Sequence, residues 1–348
     1  MNCKPSNWVR SAICGGLVAA LHVGGSVQAA PVKLIFDTDM GNDVDDLMAL
    51  AMIHSLQKRG AVQLLGVTLT KDHPQAAAFT DAVNTFYGYG DTPVGVVRDG
   101  AAKEPGKFNR LADERNPDGT LRYPHDLREG TMAPEAVGLL RKLLAGEPDG
   151  SVTIAQVGFF TNLARLLDSP ADAHSPLKGR ELVAKKVRTL SVMAGAFQTV
   201  EWNTRFQEYN VKLDVPAARK LAEEWPTTVV WSGFEIGVAA AFPHEVIERD
   251  LNYVAHHPLK EAYYLYEPPP HNRPTWDPTA LLQAVLPDRG YFDLSPPGTV
   301  VVGDDAGTMF RPGKDGVGRH QFLVMNSVQA ARVREAIVQL SVEPPAKR

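Results

Sequence analysis

Cysteine is nearly missing: the 348 residues contain two, Cys3 and Cys14, and none follows. The chain beyond residue 14 can therefore form no disulfide, thiolate metal site or cysteine nucleophile, a usage that suits an oxidising compartment. Cys14, in SAIC, also lacks the Leu three residues earlier that usually precedes a bacterial lipoprotein cysteine. Long apolar runs are missing too. The most apolar stretch, SAICGGLVAALHVGGSV, is interrupted by Gly and His22, and no later segment offers the roughly 18 consecutive apolar residues of a membrane span. A basic excess is also absent, with 36 Lys and Arg against 40 Asp and Glu. That balance argues against a nucleic-acid partner.

At the N-terminus, Lys4 and Arg10 precede the apolar stretch, which ends in VQA before Ala30 and Pro31. This pattern reads as a secretory signal peptide over residues 1–29. The alternative, an anchor that is never cleaved, is disfavoured by the small-x-small site. The expectation is a periplasmic or secreted protein with no stable membrane insertion after cleavage. Residues 30–348 then carry 34 basic and 40 acidic side chains, a formal charge of −6.

Within that part, VKLIF, VQLLGVTL, SVTIAQV, VRTLSVM and TTVVW are β-rich apolar runs, and AVGLLRKLLAG and VPAARKLAEEW between them have helical spacing. The alternation predicts βαβ units. The runs are continuous rather than alternating, as in strands buried on both faces. The fold class expected is therefore α/β, a single domain with an open, mostly parallel central sheet flanked by helices. No internal repeat is present. The Pro- and Gly-rich segments GAAKEPGKFNRLADERNPDGTLRYPHD and YEPPPHNRP read as long surface loops, which in such chains often wall an active site.

Ligands in open α/β sheets bind beyond the carboxyl ends of strands. One such place, LIFDTDMGNDVDDLMALAM, crowds Asp37, Asp39, Asp43, Asp45 and Asp46 between two apolar runs. Part of this has a structural explanation: Asp43 or Asp45 as a helix N-cap, Asp46 complementing the helix dipole, and Gly41 permitting a tight turn. An EF-hand fails, because counting from Asp37 its Gly and Glu positions hold Asn42 and Met48. A phosphatase whose strand ends in DxD is disfavoured by the MGNDVDD that follows.

The string DTDMGNDVDDLMAL resembles the DxDxGxDD motif of the inosine-uridine nucleoside hydrolase family. Four further blocks follow in that family's order: VTIAQVGFFTNLARLL, TLSVMAGAF, EYNVKLDVPAARKL and RPTWDPTALLQAV. The resemblance spans roughly residues 32–285 and implies a nucleoside-hydrolase-like fold and Ca²⁺-dependent hydrolysis of the N-glycosidic bond of ribonucleosides. The chemistry is coherent with this, since an oxocarbenium-like transition state needs activated water and polar groups around the sugar. Oxygen-only ligands suit Ca²⁺.

Carried over residue by residue, the resemblance makes Asp39 a metal ligand and the general base, and Asp46, Asp277 and the Val157 carbonyl further metal ligands. Glu208, Asn210 and Met193 fall at sugar-contacting positions. The motif here has two extra residues. Counting back from the helix assigns the ribose contact to Asp45, and counting forward assigns it to Asp43, which remains a rival or an added ligand. Asp277, before Pro278, has a plain helix-start alternative. Trp276 stands where inosine- and uridine-cleaving relatives carry a His that protonates the leaving base. Indole cannot do so, so stacking on the base is expected, with His73, His125 or His271 as replacement acids and His256 and His257 as weaker ones. The partner implied is a small nucleoside, and relatives are commonly homodimers or homotetramers. The alternatives are hydrolysis of another N-riboside or modified sugar conjugate, or calcium-dependent nucleoside or ribose binding without catalysis.

Overall fold

Why the strands are apolar without a break becomes clear from the sheet they build. A computed structural model describes residues 1–2, 30–128, 130–200 and 202–346. The proposed signal peptide falls almost wholly outside these described residues. From Pro31 onward the chain forms one compact unit. Its ten strands are β1 (Val32–Thr38), β2 (Val62–Leu69), β3 (Val94–Val96), β4 (Val152–Gln156), β5 (Val187–Met193), β6 (Thr228–Ser232), β7 (Asp293–Leu294), β8 (Gly298–Val302), β9 (Thr308–Pro312) and β10 (His320–Val324).

They run in the order β3-β2-β1-β4-β5-β6-β10-β8-β9, with β7 also pairing β10. Every pairing from β3 across to β10 is parallel, and those of β7, β8 and β9 are antiparallel. The mostly parallel α/β sheet is as the sequence implies. Its antiparallel C-terminal extension was not foreseen, because short half-exposed strands leave no strong apolar run.

Side chains of a strand alternate between faces. Leu34 and Phe36 enter one buried cluster with helix Asp45–Lys58 and helix Trp276–Val285, whereas Ile35 enters a second cluster with helix Thr161–Asp168 and helix Val215–Glu224. Both faces are covered, so β1 must be apolar throughout until its end reaches the site. After β1 the chain adds β2 and β3 on one side, then crosses to place β4 on the other. That reversal opens a crevice at the carboxyl ends of β1 and β4, the usual ligand position of such sheets. Among the described residues, no helix is long and apolar enough to cross a membrane.

Candidate active site

Strand β1 brings Asp37 and Thr38 to the edge of this crevice, and Asp39 follows directly after it. Asp37 is fully buried, and its Oδ1 accepts from Thr68 Oγ1 (2.5 Å) and Asn162 Nδ2 (2.8 Å). It pins β1 to its neighbours and does not line the cleft. Asp39 does line it. Its Oδ2 accepts from Asn42 Nδ2 at 2.5 Å, and Asn42 Oδ1 in turn accepts from Lys71 Nζ. The Asp39 backbone N–H also donates to its own carboxylate. Burial pushes Asp39 up to about 6.

The turn after Asp39 depends on Gly41, whose φ is +112° and whose missing Cβ leaves room for Asn109 2.2 Å away. Asn109 Nδ2 uses that approach to donate to the Met40 carbonyl at 2.9 Å. The helix then begins at Asp45 with Val44 as its cap residue, so neither Asp43 nor Asp45 is the N-cap the sequence suggested. Val44 lacks a capping side chain, and Asp43 Oδ1 accepts from the Val44 N–H at 2.6 Å instead.

Asp45 and Asp46 occupy the first turn, where the helix dipole favours negative charge. Asp277 meets them from the first turn of helix Trp276–Val285. Thr275, not Asp277, holds the cap position there. The carboxylates of Asp45, Asp46 and Asp277 offer oxygens within 4.8 Å of one another, all buried, a group able to hold a metal ion. Asp277 N–H donates to Asp45 Oδ2 at 3.1 Å, and Thr38 Oγ1 donates to Asp46. Burial, then repulsion from neighbouring carboxylates (Asp43 for Asp45, Asp39 and Asp45 for Asp46, Asp45 and Asp46 for Asp277), raises all three well above the usual carboxylate range. Buried like charges need a cation or protons to offset them, and an all-oxygen donor set suits a hard cation.

The opposite wall comes from β4, β5 and the segment before helix Val215–Glu224. Val157, Met193, Glu208 and Asn210 all line the cleft. Asn210 Nδ2 donates to the carbonyls of Val157 (2.8 Å) and Met193 (3.1 Å). Glu208 caps the short helix Tyr209–Leu213, accepting from the N–H groups of Asn210 (2.8 Å), Val211 (3.1 Å) and Gly195 (3.2 Å). Burial nevertheless lifts it to about 7.

The remaining end is aromatic. Phe206 lies against Phe234 with centroids 4.2 Å apart, and Phe234 against Trp276 at 5.1 Å. The Trp276 N–H donates to the Phe234 carbonyl at 2.9 Å, so it is already spent. The indole rests on Gly237, where any Cβ would fall 2.2 Å from Trp276 Cδ1.

Both segments read as loops reach this cleft, through Glu104, Pro105 and Lys107 in one and, in the other, Arg273 and Tyr266, the last residue of helix Pro258–Tyr266. Asp43 is paired with Arg273 and accepts from the Tyr266 hydroxyl at 3.2 Å. None of the histidines offered as replacement acids lines the cleft. His73 caps helix Pro74–Phe86, His125 bonds the Tyr123 carbonyl, and His271 stacks on Tyr263. His256 pairs with Glu261, and His257 lines a separate cavity. Their sequence positions in or beside loops carried no information on direction. Lys71, Asn42, Arg273 and Tyr266 were missed; the one signal available was that Tyr266 and Arg273 sit in a segment read as a wall.

Fold and site together define an α/β protein with an acidic pocket at the switch point of its sheet. A family model for inosine-uridine preferring nucleoside hydrolase matches residues 34–335, and the chain belongs to that family. Pyrimidine-specific ribonucleoside hydrolase RihA of Escherichia coli is 31% identical over 156 residues, 44% of this chain and 46% of that protein. The match thus spans about half the length of this curated relative. Among solved structures, a purine-preferring ribonucleoside hydrolase from Gardnerella vaginalis superposes with a TM-score of 0.67 at 20% identity, covering 89% of this chain and 99% of that one. The plant nucleoside hydrolase PpNRh1 gives 0.66 at 22% identity, covering 90% and 100%. At these identities the structures testify to the shared fold.

Proposed function

We propose that this chain hydrolyses the N-glycosidic bond of ribonucleosides to free base and ribose, with Ca²⁺ as its resident metal. The observation that carries the reading is one cleft of about 660 Å³ lined both by the buried carboxylate group and by the aromatic side chains of Phe206, Phe234 and Trp276. Its volume lies in the range of small-ligand pockets. A hydroxyl-rich sugar suits the carboxylates and a flat base the aromatic rings.

Asp45, Asp46 and Asp277 would hold the metal, with Asp39 and the Val157 carbonyl lining the same cleft as further oxygens. Six to eight oxygen ligands are usual for Ca²⁺. When bound, the cation supplies positive charge that offsets the carboxylates, acidifies water and orients sugar hydroxyls. Asp39 accepts the proton of the attacking water, while Asn42 holds its Oδ2. Burial raises this carboxyl in the metal-free chain, and a cation beside it would keep it ionised and so able to accept a proton.

Met193, Glu208 and Asn210 orient the sugar from the opposite wall. Trp276, with Phe206 and Phe234, stacks on the base and excludes water. The partner is a small nucleoside. Residues 1–29 support action in the periplasm or outside the cell, and the homodimer or homotetramer usual in the family is the oligomeric state proposed.

A panel of ribonucleosides, assayed for free base and ribose with and without chelator, tests the reading. Hydrolysis lost with chelator and restored by Ca²⁺ is expected. Binding without hydrolysis refutes the enzymatic reading, and activity indifferent to chelator refutes the metal.

A further inference from the structure

Trp276 has spent its N–H on the Phe234 carbonyl, and none of the candidate histidines lines the cleft. The cleft does contain a guanidinium. Arg273 is held at its backbone by paired bonds with Phe242 (2.7 and 3.1 Å). Its Nε donates to Asp43 Oδ1 at 2.9 Å and its Nη2 donates to the other oxygen of the same carboxylate. Its central carbon lies over two rings, 4.6 Å from the Tyr266 centroid and 5.0 Å from that of Trp276.

The Tyr266 hydroxyl completes the clamp on Asp43. Nη1 makes no hydrogen bond among the described residues, although Arg273 lines the cleft. A bidentate pair alone would explain two of the three nitrogens. It leaves the third without a partner on a side chain that lines the cleft.

We propose that Arg273 is the leaving-group residue of this site, donating through Nη1 to an acceptor atom of the departing base and stabilising the negative charge that develops there. Asp43, supplied by the expanded motif, is the positioning residue that aims it. The inference rests on the ribonucleoside reading above.

In the step, the C1′–N bond breaks with its electron pair passing to the base nitrogen, and the water oxygen bonds to C1′. The water's proton passes to Asp39. The base anion takes a proton from solvent as it leaves, and Asp39 returns its proton to solvent. Arg273 transfers no proton, because a guanidinium stays protonated in proteins. It acts as a fixed donor in a desolvated site, where loss of one such donor typically costs about 100- to 1000-fold. A group offering only N–H donors favours bases with an outward carbonyl, such as oxopurines and uracil.

The experiment compares inosine with 4-nitrophenyl β-riboside, whose phenolate departs without help, in the calcium-loaded wild type, Arg273→Gln, Arg273→Lys and Asp43→Asn. Arg273→Gln should lose about 100- to 1000-fold in kcat/KM on inosine and at least ten-fold less on the nitrophenyl riboside. Arg273→Lys should recover part of the difference. Asp43→Asn should show the same substrate pattern, more weakly, with the Ca²⁺-induced rise in melting temperature retained. Equal losses on both substrates in folded Arg273→Gln overturn the proposal. If that variant fails to fold, an unchanged inosine-to-nitrophenyl ratio in Asp43→Asn overturns it. A wild type that cleaves neither riboside overturns the ribonucleoside reading itself, whereas one that cleaves both while Arg273→Gln matches it on inosine overturns only the role of Arg273.

Discussion

Replacing Asp277 by Asn should stabilise the metal-free protein while removing its response to calcium. Asp277 offers an oxygen within 4.8 Å of oxygens on both Asp45 and Asp46. Two unit charges at that separation repel by about 3 kcal/mol at an effective dielectric constant of about 20. Two such pairs involve Asp277, and burial adds to the penalty by driving all three carboxyls toward protonation. Proton uptake relieves much of this repulsion in the metal-free state, so the gain expected from the neutral amide is about 1–3 kcal/mol. The Asp277 carboxylate accepts no hydrogen bond among the described residues, so the substitution sacrifices none there.

At roughly 2–4 °C per kcal/mol for a chain somewhat smaller than this one, the chelator-treated variant should melt a few degrees above the wild type. Calcium at about 100 times its dissociation constant should stabilise the wild type by about 2.7 kcal/mol, and the variant far less. Thermal unfolding followed by circular dichroism, in chelator and then in excess Ca²⁺, reads both effects. A variant that melts below the wild type in chelator, or that keeps the full calcium response, refutes the reasoning.

Asp39→Asn should cost about 100- to 10,000-fold in kcat with the melting temperature preserved, and near-normal turnover would remove Asp39 from its role as base. Gly237→Ala would drive a methyl into the indole of Trp276; overpacking of this kind costs about 1–3 kcal/mol, visible as a lower melting temperature together with a raised KM. His54 is buried between Tyr87 and Tyr89, and burial lowers it from 6.5 to about 4 against the opposing pull of the Asn84 hydrogen bond, which favours the charged ring. Because its folded value is depressed, its full contribution is present above pH 6.5 and declines as pH falls toward 4, a loss of about 3 kcal/mol. Urea unfolding at pH 7.5 and 4.5 should show a smaller pH-dependent decline in His54→Asn than in the wild type, and an identical decline would exclude His54 as a source.

What the sequence by itself determined is local. Continuous apolar runs must be strands covered on both faces, and helix Ala136–Gly146 has the bounds its 3.6-residue spacing predicted. The turn at Gly41 was equally legible, since it depends on a few neighbouring residues, whereas the cap of the helix after it fell on Val44 rather than on Asp43 or Asp45. The family was legible too, because five motif blocks keep their order along the chain.

The resemblance already joined Asp277 to Asp39 and Asp46, and the tertiary structure decided that Asp45, assigned from the sequence to the ribose, meets Asp46 and Asp277. Asp45 and Asp277 are 232 residues apart, and only the sheet's reversal between β1 and β4, with helix Trp276–Val285 packed over it, brings them together. The surplus Asp43 could not be placed from its spacing either. Its partner is Arg273, 230 residues further on, and the direction in which a loop side chain points is fixed by packing and charge pairing rather than by position in the sequence.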